Sequence, residues 1–175
     1  MVVNIVIDRK WAMPNRWTFS IKPIQELLKQ ELTQGLWIDP FAGLYSPAGV
    51  KNDLNPDNPA DYHMDARDFL KLFSENSVDG VLLDPPYSPR QVRECYDGIS
   101  GDLKWDGRCT FWSETKNLCA RVIKPGGKVI CFGWNSMGLG VNRGFEMRRI
   151  LLVPHGGSKN DTFCTVELKK SGGTL

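Results

Sequence analysis

Apolar residues recur along the chain at two spacings, and segments of the two kinds alternate. Behind Pro23, which suits a first helical turn, Ile24, Leu27, Leu28 and Leu32 fall one helical turn apart, so a helix is expected over residues 23–32. Leu36-Trp37-Ile38 is a short apolar run stopped by Asp39-Pro40, the pattern of a buried strand. Residues 50–54 predict a second strand, closed by the proline-rich loop 55–59, and residues 62–64 a weak third. Phe69, Leu70 and Phe73 share one face of an expected helix over 66–73. Val78–Leu83 reads as a strand ended by Asp84-Pro85-Pro86, and Ser88-Pro89 opens a helix running to about Tyr96. Phe111, Trp112, Thr115, Cys119 and Val122 align on a helix over 111–123, which Lys124-Pro125-Gly126-Gly127 terminates. Residues 129–134 form the most apolar strand candidate. Phe145–Val153 and Thr162–Lys169 are two more, joined through a turn at 155–161 as a hairpin.

Strands alternating with helices imply a mostly parallel sheet covered on both faces, and the closing hairpin implies one antiparallel strand. Ligands of such sheets bind outside the carboxyl ends of the strands. The polar strings of this chain lie there. Asp84-Pro85-Pro86-Tyr87 follows one strand directly. Its prolines have no N–H and push the preceding residues to extended geometry, so the turn presents acceptors: the Asp84 carboxylate and the Asp84 and Pro85 carbonyls. Such a turn suits a ligand that offers an amino group, with Tyr87 as a stacking face. Asp39-Pro40-Phe41-Ala42-Gly43 follows another strand, where Gly43 lets backbone approach a ligand closely. Asp53, with Leu54 after it, ends the next strand, and its carboxylate can accept from both hydroxyls of a ribose. Asp65-Ala66 follows the third. Asp65 is placed either to accept from an adenine amino group or to cap the helix behind it.

Composition narrows the classes. With 175 residues the chain is one domain, read here as residues 1–175 with a short N-terminal arm over about 1–18. It is 41% hydrophobic and 24% charged, the composition of a globular protein. A formal charge of +2 without a Lys/Arg run permits a nucleic-acid partner but does not require one. No stretch is long and apolar enough to span a membrane, and the first residues do not read as a secretion signal, so a cytoplasmic location is expected. Five cysteines (Cys95, Cys109, Cys119, Cys131, Cys164), none spaced C-x-x-C, and two histidines (His63, His155) support neither a disulfide framework nor a metal site; reduced thiols are expected.

In order and position the four strings resemble the S-adenosylmethionine-dependent amino-methyltransferases, specifically the N6-adenine DNA methyltransferases. D-P-F-A-G is similar to the family's cofactor loop and D-P-P-Y to its catalytic loop. Thr18-Phe19-Ser20-Ile21-Lys22-Pro23 is similar to its N-terminal cofactor segment. The resemblance implies a seven-stranded Rossmann-like methyltransferase sheet with a C-terminal antiparallel hairpin. It implies S-adenosylmethionine held by Phe19, Ser20, Ile21, Asp39, Pro40, Phe41, Gly43, Asp53, Leu54, Asp65, Ala66 and Asp84, and adenine N6 methylated at Asp84, Pro85, Pro86 and Tyr87, with no metal. No target-recognition domain fits between Gly43 and Asp84 or after them, which resembles small phage- or mobile-element-borne members in a bacterial or phage-infected cell. That leaves room for a homodimer or a separate recognition partner. DNA is the expected substrate and RNA adenine, or another amine, the alternative; a cofactor-binding subunit serving a partner is a third reading. Arg90, Arg93, Lys104 and Arg108 are placed to meet phosphates or to sit on a solvated helix and loop. Trp105 and Trp112 are stacking candidates, Trp112 with a stronger expectation of core packing. Loops 135–144 and 155–161 are expected to border the base pocket. A dinucleotide oxidoreductase is excluded by its own fingerprint: after Gly138 and Gly140 the third glycine position holds Arg143.

Overall fold

The computed structural model describes residues 4–97, 110–157 and 159–172. Seven strands form one sheet in the order β1-β6-β7-β5-β4-β2-β3: β1 Val6–Arg9, β2 Trp37–Asp39, β3 Val50–Lys51, β4 Val78–Leu83, β5 Ile123–Gly133, β6 Phe145–Val153 and β7 Thr162–Lys169. All neighbours run parallel except β7, which pairs antiparallel with both β5 and β6. This is the expected sheet with its closing hairpin. Six strands therefore point their carboxyl ends to one rim.

Period-two alternation sorts the central strands between two cores. Leu82 of β4 and Ile130 and Phe132 of β5 pack beneath Ile24, Leu27 and Leu28 of helix α1 (Lys22–Glu31). Val81 and Leu83 of β4 and Val129 and Cys131 of β5 face the other way. They pack on Phe69 and Leu70 of α2 (Ala66–Lys71) and Cys119 and Val122 of α4 (Phe111–Val122). A third helix, α3 (Pro89–Asp97), stands over the rim, burying Val92 and Tyr96 against Phe111. Its first turn is held by Ser88 Oγ, which accepts from the Gln91 N–H at 3.2 Å.

Four expectations need correction. The N-terminal segment read as an arm supplies β1, the outermost strand; its mostly exposed residues carry no core signal. The strand expected over 50–54 stops at Lys51, and that expected over 62–64 shrinks to one bridge between Asn52 and Tyr62. Asn52 is the reason. Its side chain takes over the ladder, donating to the Pro40 and Met64 carbonyls at 3.1 and 3.0 Å and accepting from Met64 N–H at 3.1 Å. Residues 40–49 cross from β2 to β3 as a loop. Finally, Pro125–Gly127 lie within β5, whose register against β4 shifts there, since Val78 faces Ile123 while Gly80 faces Lys128.

Cys119, Cys131 and Cys164 are buried free thiols and Cys95 is an exposed one. Cys109, Lys104, Trp105 and Arg108 lie outside the described residues. Among the described residues no helix is long and apolar enough to cross a membrane, and no His, Cys, Asp and Glu side chains group as metal ligands.

Candidate functional site

The rim opens into a cavity of about 610 Å³. The turn after β4 forms one wall through Asp84, Pro85, Pro86 and Tyr87; the turn after β2 forms another through Pro40, Phe41, Ala42 and Gly43; Asp53 and Leu54 close a third, and Ala66 of α2 lies at the floor. Trp17, Thr18 and Phe19 enter from the segment ahead of α1. Thus Phe19, Pro40, Phe41, Gly43, Asp53, Leu54, Ala66 and the four residues of the D-P-P-Y string are brought together from parts of the chain far apart in sequence. Ser20, Ile21, Asp39 and Asp65 stand behind the wall rather than on it. Ser20 Oγ donates to the Trp17 carbonyl at 2.7 Å, and Ile21 is buried in the core at the start of α1.

The loop from β2 to β3 has no helix to organise it, and two carboxylates do so instead. Asp39, fully buried, accepts from Phe41 N–H at 2.8 Å and from Ser46 Oγ at 2.5 Å. Asp53 accepts from Gly43 N–H at 2.7 Å and from Asn55 N–H at 2.8 Å. Gly43 holds φ +57°, the left-handed region that favours glycine. Burial raises the Asp39 carboxyl to about 7, against the pull of Ser46 and the Phe41 N–H and with help from the nearby Asp84 and Asp53 carboxylates.

Burial likewise raises Asp84, opposed by hydrogen bonding from Thr18 and Tyr87. The Tyr87 hydroxyl donates to Asp84 Oδ1, and burial together with that neighbouring charge makes the Tyr87 hydroxyl a much weaker acid than usual. The turn itself is braced from outside: Gln91 Oε1 accepts from Tyr87 N–H at 2.7 Å, and Trp112 Nε1 donates to the Pro86 carbonyl at 2.8 Å. Trp112 is therefore half-buried against Phe111 as the helix pattern implied, with its ring nitrogen supporting the turn.

Behind this turn lies a second, smaller cavity of about 140 Å³, which shares Pro85 and Tyr87 with the first. Trp112, Trp134, Lys116, Asn135 and Gly138 line it. The Tyr87 and Trp134 rings sit 5.2 Å apart at 50°. The loop after β5 that borders this cavity is pinned from below. Glu167, buried in β7, accepts from Leu139 N–H at 2.6 Å and Gly140 N–H at 2.9 Å, while Lys116 Nζ donates to the Gly138 carbonyl at 2.6 Å. Burial raises the Glu167 carboxyl, opposed by those two backbone N–H groups.

Asp65 performs the capping role weighed for it. It accepts from Arg67 N–H at 2.7 Å, from the Arg67 guanidinium, and from the Tyr96 hydroxyl. Burial pushes its carboxyl up, but these partners outweigh that and hold it below the usual carboxylate range. Of the cations expected near phosphates, Arg90 is exposed and paired to Glu94 at 2.7 Å, and Arg93 is exposed on α3. Arg16, which the sequence did not single out, lies at the cavity with its guanidinium 4.4 Å from the Trp17 ring centre. Thr18, Trp134, Lys116 and Glu167 were also not singled out for the site. Only Thr18 had a local signal, as the first residue of the string before α1.

No family model matches the chain, and no curated protein matches it in sequence. Solved structures do. YhhF from Escherichia coli, assigned as a methyltransferase, is 14% identical with a TM-score of 0.54, over 93% of this chain and 92% of its own. The 1,6-didemethyltoxoflavin-N1-methyltransferase of Burkholderia thailandensis, solved with S-adenosylhomocysteine, is 12% identical with a TM-score of 0.57, over 86% of this chain and 78% of its own. TrmN from Thermus thermophilus is 18% identical with a TM-score of 0.55, over 85% of this chain and 49% of its own. The sheet order, the single antiparallel strand and these likenesses agree: the chain has the class I, Rossmann-like methyltransferase fold.

Proposed function

We propose that this protein is an S-adenosylmethionine-dependent methyltransferase whose acceptor is an exocyclic amino nitrogen, N6 of adenine in DNA. The observation that carries the reading is the position of the Asp84–Tyr87 turn between two cavities, with Pro85 and Tyr87 lining both and Asp84 lining the larger. The larger one fits the donor. Its size is that of a small-molecule site. Asp53 offers carboxylate oxygens with lone pairs beyond the two N–H bonds they accept. The Asp53 and Asp84 carboxyls stand on its wall with Asp39 buried behind them, an acidic surround that favours a cationic ligand. The donor, when bound, supplies a methyl group on a positively charged sulfur. The smaller cavity, with Tyr87, Trp112 and Trp134 around it, fits a flat heterocycle.

The residues of the turn then act on the acceptor. The Pro85 carbonyl and Asp84 accept the two N–H bonds of the amine. This favours a pyramidal nitrogen whose lone pair leaves the ring plane toward the larger cavity. Each Asp84 oxygen has two acceptor positions, so the amine enters beside the Tyr87 hydroxyl or displaces it. Nitrogen forms the bond to the methyl carbon, the carbon–sulfur bond breaks with its pair going to sulfur, and one N–H proton leaves. Asp84, raised by burial, is matched to receive that proton. Alignment across the turn supplies most of the acceleration, up to about 7–11 kcal/mol. A duplex substrate must have its base turned out, at a cost of a few kcal/mol.

The test is transfer of labelled methyl from S-adenosylmethionine to DNA, RNA and small heterocyclic amines in parallel, with wild type and Asp84→Ala. Label in DNA adenine that falls by about 100-fold or more in the variant, with donor binding retained, supports the proposal. Label confined to RNA or to a small amine moves the acceptor. Label in DNA that is equal in both proteins removes Asp84 from the chemistry.

A further inference from the structure

The outermost strand of the sheet carries a pattern that the methyl-transfer site does not use. β1 pairs with β6 on one side only, and no described residue pairs with its other edge. Its apolar residues are not buried: Ile5 is 43%, Val6 52% and Ile7 71% exposed. The strand is short and its second half, Asp8-Arg9, is charged, so the apolar edge that can template strand pairing is confined to Ile5-Val6-Ile7.

The backbone specifies which groups are available. Lys10 N–H donates to the Leu152 carbonyl and Ala12 N–H to the Pro154 carbonyl, so the even-numbered residues face β6. In a parallel ladder every second residue turns both backbone groups to its neighbour. The odd-numbered residues Ile5, Ile7 and Arg9 therefore turn theirs outward. A second antiparallel strand must place odd residues against odd ones. Among such self-pairings, one centred on Ile7 lays the Arg9 charge over Ile5. One centred on Asp8 opposes two like carboxylates, and one centred on Arg9 opposes two guanidinium groups. Centring on Val6 instead sets Ile5 against Ile7, Val6 against Val6 and Asn4 against Asp8. The triplet Ile5-Val6-Ile7 is palindromic in branched apolar residues, and only this register uses the palindrome without opposing like charges. Asp8 is already neutralised by Arg149 at 2.7 Å.

We infer that the occupant of this edge is a second copy of the chain, joined by antiparallel β1–β1 pairing about a two-fold axis at Val6. Ile5 of each protomer exchanges both N–H···O=C bonds with Ile7 of the other, and the two sheets become one continuous sheet. Because the pairing is antiparallel, the rims bearing the two cavities point to opposite ends of that sheet. Each protomer keeps a complete site, and one straight stretch of substrate cannot lie across both.

Sedimentation equilibrium on the wild-type chain and on Ile7→Lys tests the inference. Wild type is expected at twice the 19.7 kDa chain mass. Ile7→Lys is expected at the monomer mass with its circular dichroism and donor binding unchanged, since Ile7 is exposed in the protomer. Oxidative cross-linking tests the register. Val6→Cys brings two thiols to a pair of the close kind, with Cα atoms about 4.5 Å apart, within disulfide reach. It is expected to cross-link well above wild type, whose exposed Cys95 sets the background, and above Asp8→Cys. A wild-type monomer across the micromolar range, a dimer that Ile7→Lys leaves intact, or cross-linking of Asp8→Cys equal to that of Val6→Cys overturns it. None of these readings depends on methyl transfer.

Discussion

Asp39 shows how much a residue's role depends on where its side chain ends up. In the sequence it is one letter of D-P-F-A-G, placed by resemblance among the donor contacts. In the structure it is buried beneath that loop, with both oxygens occupied by Phe41 N–H and Ser46. Its carboxyl titrates near 4 in the unfolded chain and near 7 when folded. The folded state therefore holds the extra proton between those values. The stability this contributes is complete below about pH 4 and is lost as pH rises through 7. Urea unfolding from pH 5 to 8 is expected to show stability falling on the order of a few kcal/mol, with Asp84 and Glu167, also raised, moving the same way. Asp39→Asn keeps an acceptor for Phe41 N–H and cannot ionise, so its stability should depend less on pH across that range. An Asp39→Asn curve as steep as that of wild type would reject this account. Asp65 titrates with the opposite sign, since its folded carboxyl lies below the usual range.

At the scale of elements, β4 and the loop after β5 decide the shape of the site. Gly80 sits in β4 because the Trp37 ring of β2 lies across it: a Cβ there would come within 2.5 Å of that ring. Gly80→Ala is expected to destabilise the protein by about 1–3 kcal/mol, read as a lower denaturant midpoint, because Trp37 is buried and has nowhere to move. Glu167 acts on the other side of the site. Glu167→Ala leaves the Leu139 and Gly140 N–H groups without their acceptor, at about 1–3 kcal/mol. The loop bordering the smaller cavity would loosen, so KM for the methyl acceptor should rise more than affinity for the donor changes. Equal changes in both would make Glu167 a support of the whole fold rather than of that loop. Helices α1 to α4 were legible to within a residue or two because their apolar stripes are long and their starts carry Pro23, Asp65 and Ser88-Pro89.

For the molecule as a whole, the fold gathers distant segments around one cavity, and a ligand there should stabilise all of them together. S-adenosylhomocysteine at about 100 times its dissociation constant is expected to add about 2.7 kcal/mol and to raise Tm by roughly 5–10 °C. With Asp53→Ala the shift at the same concentration should be clearly smaller. No shift in the wild-type protein would remove the donor from the larger cavity.

The alternation of short apolar runs with helical stripes determined the parallel sheet and its closing hairpin without any tertiary information, because burial of a strand or of a helix face imposes its period directly on the sequence. The turns after strands were equally plain, since Pro, Gly and Asp mark them chemically. What the tertiary structure alone decided is which of those polar groups meet a ligand and which serve the chain itself. Asp53 and Asp84 lie on the cavity wall, while Asp39 and Asp65 turn inward to Ser46 and Arg67. Glu167 reaches a loop 28 residues away in the chain. Likewise β1 is a strand only because β6 offers it an edge. A carboxylate's partners and a short strand's pairing are set by neighbours in space, and nothing in the spacing of residues along the chain records them.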